Sequence, residues 1–168
     1  GGDLAPIEVV LVSGTGKVEL TGLMGDVMQE SAHAALTYAR AHASRLGYRE
    51  VDFTKQDVHV HVPSGSLPKE GPSAGLAMAI ALISALTRKK VRHDVILTGE
   101  ITLQGRVLPV GSIKAKVLAA HRAGIGKFVM PKSNRQDLID LPEHVRKQMD
   151  FVEVADLNDA LSQTIRLA

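Results

Sequence analysis

One junction constrains this chain more than any other stretch. Pro68-Lys69-Glu70-Gly71-Pro72-Ser73-Ala74-Gly75 closes a loop rich in proline and glycine, and a long apolar run, Leu76 to Leu86, begins directly after it. A loop that stops at a proline before so long an apolar stretch predicts a helix from Ser73 to Thr87. The run is too short, and too polar at its flanks, to span a bilayer. A single serine, Ser73, stands at the start of that helix between Gly71 and Gly75. A second glycine-marked stretch, Gly105 to Lys116, follows about forty residues later.

Around this junction the pattern reads as alternating strands and helices. Ile7 to Val12 is a strand, Ser13 to Lys17 a turn, and Val18 to Leu20 is expected to return as the hairpin partner. Val27 to Leu46 is helical, rich in alanine (Ala32, Ala34, Ala35, Ala39, Ala41, Ala43), with Gly47 as its stop. Asp57 to Val62 alternates as a strand does, with His59 and His61 on one face. Asp94 to Thr98 is a strand, and Ile101 to Val110 is a hairpin broken at Gln104-Gly105. Gly111 or Ser112 opens a helix that reaches Arg122 and stops at Gly124. Lys127 to Met130 and Phe151 to Val154 are strands, with short helices at Asn134–Leu141 and Glu143–Lys147 between them. Asp156 caps a last helix to Arg166. The 168 residues hold no repeat and no linker, so one domain, residues 1–168, is expected. Its class is α/β (α+β): an N-terminal β-hairpin and helix, then alternating strands and helices.

Composition removes several functions. Aromatic residues are 3% and tryptophan is absent, so Val, Leu, Ile, Ala and Met must build the core. So few aromatics also argue against a base-stacking surface. The net charge is +2 with scattered basic residues, so no nucleic-acid partner is expected. With no cysteine, disulfides, thiolate metal sites and cysteine nucleophiles are excluded. Gly16-Lys17 falls short of a phosphate loop, because Leu11 and Val18 stand where a glycine and a Ser/Thr are needed. His59-Val60-His61 can offer two metal ligands but no third is evident, and His33 and His42 are nine residues apart; no metal is expected. The chain opens Gly1-Gly2 without a methionine or a secretory signal, and reads as an internal fragment or a processed chain.

Gly71-Pro72-Ser73-Ala74-Gly75 also matches G-x-S-x-G. The hydrolase elbow of that pattern needs a strand just before the serine, and Pro63, Pro68 and Pro72 make that segment a loop. Two readings of Ser73 stand. It is a nucleophile at the positive end of a helix, beside free N–H groups able to hold an oxyanion, or it is an ordinary N-cap. A nucleophile needs a base; His59, His61, His93, His121 and several lysines are available. Ser66-Leu67-Pro68-Lys69 matches S-x-x-K but lacks the companion motifs. On the later helix Ile113, Val117, Ala120 and Gly124 share a face. At ~100° per residue, Lys116 lies ~60° from Ile113, and Lys114 ~100° the other way. Lys116 borders the buried face more closely, by a small margin. Partial burial lowers a lysine's pKa as a general base requires, whereas snorkelling leaves either lysine an ordinary surface charge.

The run of motifs closely resembles the proteolytic domain of ATP-dependent Lon proteases. Those carrying the resemblance are Pro68 to Gly75, Thr98-Gly99-Glu100-Ile101-Thr102-Leu103-Gln104-Gly105, Leu108-Pro109-Val110-Gly111 and Lys114-Ala115-Lys116. His59-Val60-His61-Val62-Pro63 and Gly25 to Ala32 fit as well. The resemblance implies a Ser–Lys dyad peptidase with Ser73 as nucleophile and Lys116, 43 residues later, as base. It implies Thr98 as a supporting hydroxyl, with Glu70 and His61 as further supporting residues and the backbone of Gly71 and Ala74 around the oxyanion. Glu70 stands where aspartate is usual, and Ser112 where glycine is usual. The resemblance further implies no cofactor in this domain, with ATP and Mg²⁺ used by an ATPase module of the parent protein. It implies unfolded polypeptide substrates, a hexameric ring, no membrane partner, and a bacterial cytoplasmic setting. The competing expectations are a non-catalytic assembly module and a G-x-S-x-G esterase with a Ser–His–acid triad.

Overall fold

The computed structural model describes residues 7–22, 25–42, 54–63, 75–92 and 94–165. Three strands form the first sheet: β1 (Glu8–Ser13), β2 (Val18–Gly22) and β3 (Gln56–Val62), in the order β1-β3-β2. β3 runs antiparallel to β1 and parallel to β2. The expected pairing of β1 with β2 as a hairpin is therefore corrected, because β3 lies between them. Two causes are visible. Val58, Val60 and Val62 of β3 are each at most 2% exposed, so this strand takes the central place. The Asp57 carboxylate then gathers the turn, its Oδ1 accepting from the N–H groups of Lys17 (2.8 Å), Thr15 (2.9 Å) and Gly16 (3.0 Å). Gly14 N–H donates to Lys55 O and Val58 N–H to Lys17 O, so the turn closes onto β3 rather than onto itself.

Helix α1 (Asp26–Ala41) and helix α2 (Gly75–Thr87) pack together beneath this sheet. α2 is apolar on nearly every side, and Leu76, Met78, Ala79, Ile80, Leu82, Ile83 and Leu86 are all buried. Such a helix must be wrapped by other elements. α1 supplies small residues on the facing side, Ala32, Ala35 and Ala39, with Leu36 and Tyr38. Each fully buried large side chain of α2 contributes about 1.5–3 kcal/mol. The expected ends of α1 at Leu46 and Gly47, and its Ala43, lie outside the described residues.

The second sheet is parallel: β4 (Val95–Leu97), β7 (Lys127–Pro131) and β8 (Asp150–Val154), in the order β4-β7-β8. Parallel neighbours need crossovers. Helix α3 (Ile113–Arg122) supplies the first; a 3₁₀ helix (Lys132–Leu138) and α4 (Glu143–Gln148) supply the second. α5 (Leu157–Thr164) follows β8, capped as expected by Asp156, whose side chain accepts from Asp159 N–H at 2.9 Å. Between β4 and α3, β5 (Glu100–Ile101) and β6 (Val107–Leu108) form the expected hairpin. Its turn requires Gly105: φ is +83°, and a Cβ there would meet the Tyr38 ring at 2.3 Å. Two cores result. The larger surrounds α2; the smaller joins Ile113, Val117 and Ala120 of α3 to Phe128, Met130, Leu141, Val145 and Met149.

Candidate active site

Thr98 stands just past the carboxyl end of β4, the edge where parallel sheets of α/β folds hold their ligands. Its N–H donates to Val129 O at 3.0 Å, which extends the ladder with β7, and its side chain is 3% exposed. Gly99 follows. A Cβ on Gly99 would lie 2.9 Å from Val107 Cγ1 and 3.3 Å from Leu76 Cδ2, so nothing larger fits. Gly99 O accepts the Leu76 N–H at 2.9 Å. That bond fastens the first turn of α2 to the segment that carries Thr98.

α3 brings the lysine to the same place. Ile113, Val117 and Ala120 turn into the smaller core, which leaves Lys116 half-buried and Lys114 exposed. The small angular margin seen in the sequence thus resolves toward Lys116. Its Nζ donates to Thr98 Oγ1 at 3.2 Å and to Gly111 O at 3.1 Å. Burial holds this ammonium below the ordinary lysine value. Both of these acceptors are uncharged, so neither offsets the lost hydration as a carboxylate would. The geometry is that of an amine held in place while its protonated form is disfavoured, which suits a general base.

The loop before α3 is shaped for this contact. Ser112 adopts the left-handed conformation at φ +58°, and its C=O accepts the Lys116 N–H at 3.1 Å. A non-glycine residue in that backbone conformation costs about 1–2 kcal/mol.

His61 is not joined to Lys116 or Thr98. Its Nδ1 lies 2.7 Å from Thr21 Oγ1, which also bonds His59 Nε2 at 2.6 Å on the outer side of the first sheet. His59 faces Glu19 at 3.6 Å. His121 pairs with Gln148 at 2.6 Å. Among the described residues no group of three or more His, Asp or Glu could hold a metal ion, and no helix is long and apolar enough to cross a membrane. Ser73, Glu70, Gly71 and Ala74, the S-x-x-K match at Ser66–Lys69, and His93 lie outside the described residues. Sequence reasoning missed the Gly111 carbonyl and the side chain of Asn134, which bonds the neighbouring Val110 peptide. A backbone oxygen has no signature in sequence, and a lone asparagine after a strand reads as turn chemistry.

The Lon protease (S16) C-terminal proteolytic domain matches residues 1–166 of this chain. The chain belongs to that family. It is 53% identical over 167 residues to Lon protease 1 of Sorangium cellulosum, covering 99% of this chain and 21% of that protein. It is 52% identical over 162 residues to the Lon protease of Desulforamulus reducens, covering 96% and 20%. Lon protease 2 of Thermus thermophilus is 53% identical over 161 residues, again 96% and 20%. The chain spans about a fifth of the length of these relatives. The resemblance read from Pro68–Gly75, Thr98–Gly105 and Lys114–Lys116 is therefore correct, and the mixed helix-and-strand class agrees with a Lon proteolytic domain. Within that domain the described residues of the candidate site are Thr98, Gly111 and Lys116.

Proposed function

We propose that this chain is a serine endopeptidase domain in which Ser73 is the nucleophile and Lys116 its general base. The observation that carries the reading is the setting of Lys116: half-buried, depressed in pKa by burial, and aimed by Thr98 Oγ1 and Gly111 O. The bond from Leu76 N–H to Gly99 O supports it further. Ser73 is two residues before Gly75, so the covalent chain keeps it within about 7 Å of that α-carbon. The start of α2 and the lysine are tied to adjacent residues, Gly99 and Thr98.

In this reading neutral Lys116 takes the proton of Ser73 Oγ as the oxygen attacks a peptide carbonyl carbon. Backbone N–H groups, with Gly71 and Ala74 the nearest donors in sequence, hold the oxyanion. The intermediate collapses, the C–N bond breaks, and the Lys116 ammonium returns its proton to the leaving amine. Water then attacks the acyl-enzyme ester as Lys116 accepts its proton; the ester C–Oγ bond breaks, Lys116 returns that proton to Ser73 Oγ, and the acid product leaves. Thr98 orients the base; Glu70 and His61 are supporting residues. The substrates are unfolded polypeptides, delivered by an ATPase module of the parent protein that uses ATP and Mg²⁺. The domain itself needs no cofactor, works in a hexameric ring, and serves the bacterial cytoplasm.

The test follows cleavage of an unstructured, casein-like protein by the chain at high concentration, beside Ser73→Ala and Lys116→Ala. Loss in both variants with the circular dichroism unchanged is expected. Cleavage that survives Lys116→Ala refutes the lysine base and returns the role to a histidine.

A further inference from the structure

We propose that Asn134 is a positioning residue for Lys116: its carboxamide clamps the Val110 peptide and so holds the Gly111 carbonyl against the lysine nitrogen. The inference deepens the reading of Lys116 as base and rests on it.

The argument begins with what the backbone lacks. The β5–β6 ladder ends at the Glu100–Leu108 pair, and Pro109 has no N–H to donate. Val110 then stands beyond the sheet with both backbone groups in need of partners. Asn134, on the 3₁₀ helix after β7, meets both. Its Oδ1 accepts the Val110 N–H at 3.0 Å, and its Nδ2 donates to Val110 O at 2.8 Å. One side chain thereby replaces a strand neighbour. The second N–H of the carboxamide donates to Asp137 Oδ2 at 2.7 Å. A carboxylate only accepts, so this bond fixes which end of the carboxamide is nitrogen. Asn134 is 6% exposed, one of four buried polar side chains among the described residues, with Ser31, Thr98 and Thr164. Thr98 touches Lys116 directly. Asn134 acts one peptide away, because the residue after Val110 is Gly111, whose carbonyl accepts from Lys116 Nζ.

Among the described residues, Asn134 and Lys116 are the side chains that bond the Val110–Gly111 segment. Gly111 has no side chain and no atom within 4 Å of the place a Cβ would occupy, and Ser112 beside it is in the left-handed conformation. An unanchored Val110–Gly111 peptide would swing toward solvent, and water would reach the lysine. A carboxamide clamp is therefore the feature that keeps the base both aimed and poorly hydrated.

The experiment reads the lysine directly, whether or not peptide is cleaved. The full chain is labelled with ¹³C-lysine, the Lys116 signal is assigned through Lys116→Arg, and its titration is followed in the unsubstituted chain, Asn134→Ala, Asp137→Ala and Val145→Ala. In Asn134→Ala the midpoint should rise at least halfway to the ordinary lysine value, because the hydration regained outweighs the loss of the Gly111 O acceptor, and a fall would overturn the clamp. Asp137→Ala should move it the same way by less. Val145→Ala loosens the same core without touching the clamp and should leave it in place. A midpoint one pH unit higher leaves a tenth of the neutral lysine, so cleavage near neutrality should fall about tenfold in kcat with KM unchanged. If Asn134→Ala does not fold, the exposed Asp137→Ala carries the test. A depressed midpoint that does not move in the folded Asn134 or Asp137 variants overturns the clamp, as does an equal rise in Val145→Ala. An unsubstituted Lys116 that already titrates at the ordinary value overturns the base reading itself and leaves Asn134 nothing to position.

Discussion

Thr98 allows the hydroxyl and the methyl of one buried side chain to be tested separately. Thr98→Val keeps the volume and removes the acceptor; Thr98→Ser keeps the acceptor and removes a methyl. The side chain is 3% exposed, so the lost methyl is felt in full. By analogy with other single-methyl deletions it should cost about 0.5–1.5 kcal/mol of stability. The lost acceptor, at 3.2 Å, is a hydrogen bond to a donor that becomes charged as the base takes up its proton, of a class worth about 1.5–3 kcal/mol. In the valine variant Lys116 keeps only Gly111 O of its two acceptors, and that bond cannot fix the amine's direction alone. If a comparable share of that energy orients the base in the transition state, kcat falls by about 10- to 150-fold. The two orders then differ. Stability should rank Thr first, with Val and Ser close together below it because each loses one small contribution, whereas activity should rank Thr close to Ser and both far above Val. Denaturant midpoints give the first order, and cleavage of an unstructured protein at saturating substrate gives the second. If the valine variant cleaves within twofold of the parent, the hydroxyl does not aim the base. If activity merely follows stability through all three, Thr98 is only a core residue.

Three further outcomes are expected. Lys116→Met should alter the pH dependence of stability: the folded chain disfavours the ammonium, so the unfolded chain binds more protons between the depressed folded value and the ordinary ~10.4. Stability of the parent therefore rises with pH across that window, and chemical denaturation of the methionine variant should show the rise flattened. Asp57 has the opposite sign. The backbone N–H groups of Lys17 first, then Thr15 and Gly16, hold its carboxyl below the ordinary 3.8, so its contribution is in place above that pH and fades as pH falls through the folded value; acid titration of Asp57→Asn should lack this part of the loss. Gly105→Ala forces a side chain onto the Tyr38 ring at φ +83° and should cost about 2–4 kcal/mol from backbone strain and overpacking together, read as a lower denaturant midpoint.

Local features were legible where local physics sets them. The alternation of Asp57–Val62, the apolar run of α2, the stop of α3 before Gly124 and the Asp156 cap each follow from a period or a terminus chemistry written in neighbouring residues. The sheet order was not. β1 and β2 have the spacing of a hairpin, but the buried valines of β3 and the Asp57 carboxylate, 40 residues beyond Lys17, draw the turn onto β3 instead. A pairing of that kind is set by contacts across the fold, which periodicity does not encode. The site divides in the same way. Motif likeness named Ser73 and Lys116, but helical angles alone left Lys116 barely ahead of Lys114. The burial of Ile113, Val117 and Ala120 in the smaller core decides the rotation of α3.

What the sequence hides most completely is also what makes Lys116 suitable as a base. Its pKa reflects two opposed effects. Burial disfavours the ammonium, whereas the Thr98 oxygen and the Gly111 carbonyl favour it. The net direction is downward, so burial wins. A carboxylate in either place would reverse that result, because an ion pair in a half-buried site favours the charged form far more than a neutral dipole does. Two neutral acceptors give direction to the amine and leave its proton easy to lose. A hydroxyl and a peptide carbonyl suit that requirement, and the side chain that bonds the Val110 backbone beside the second is a neutral carboxamide. Asp137 places its carboxylate on Asn134, whose Nδ2 donates to it at 2.7 Å, rather than on Lys116.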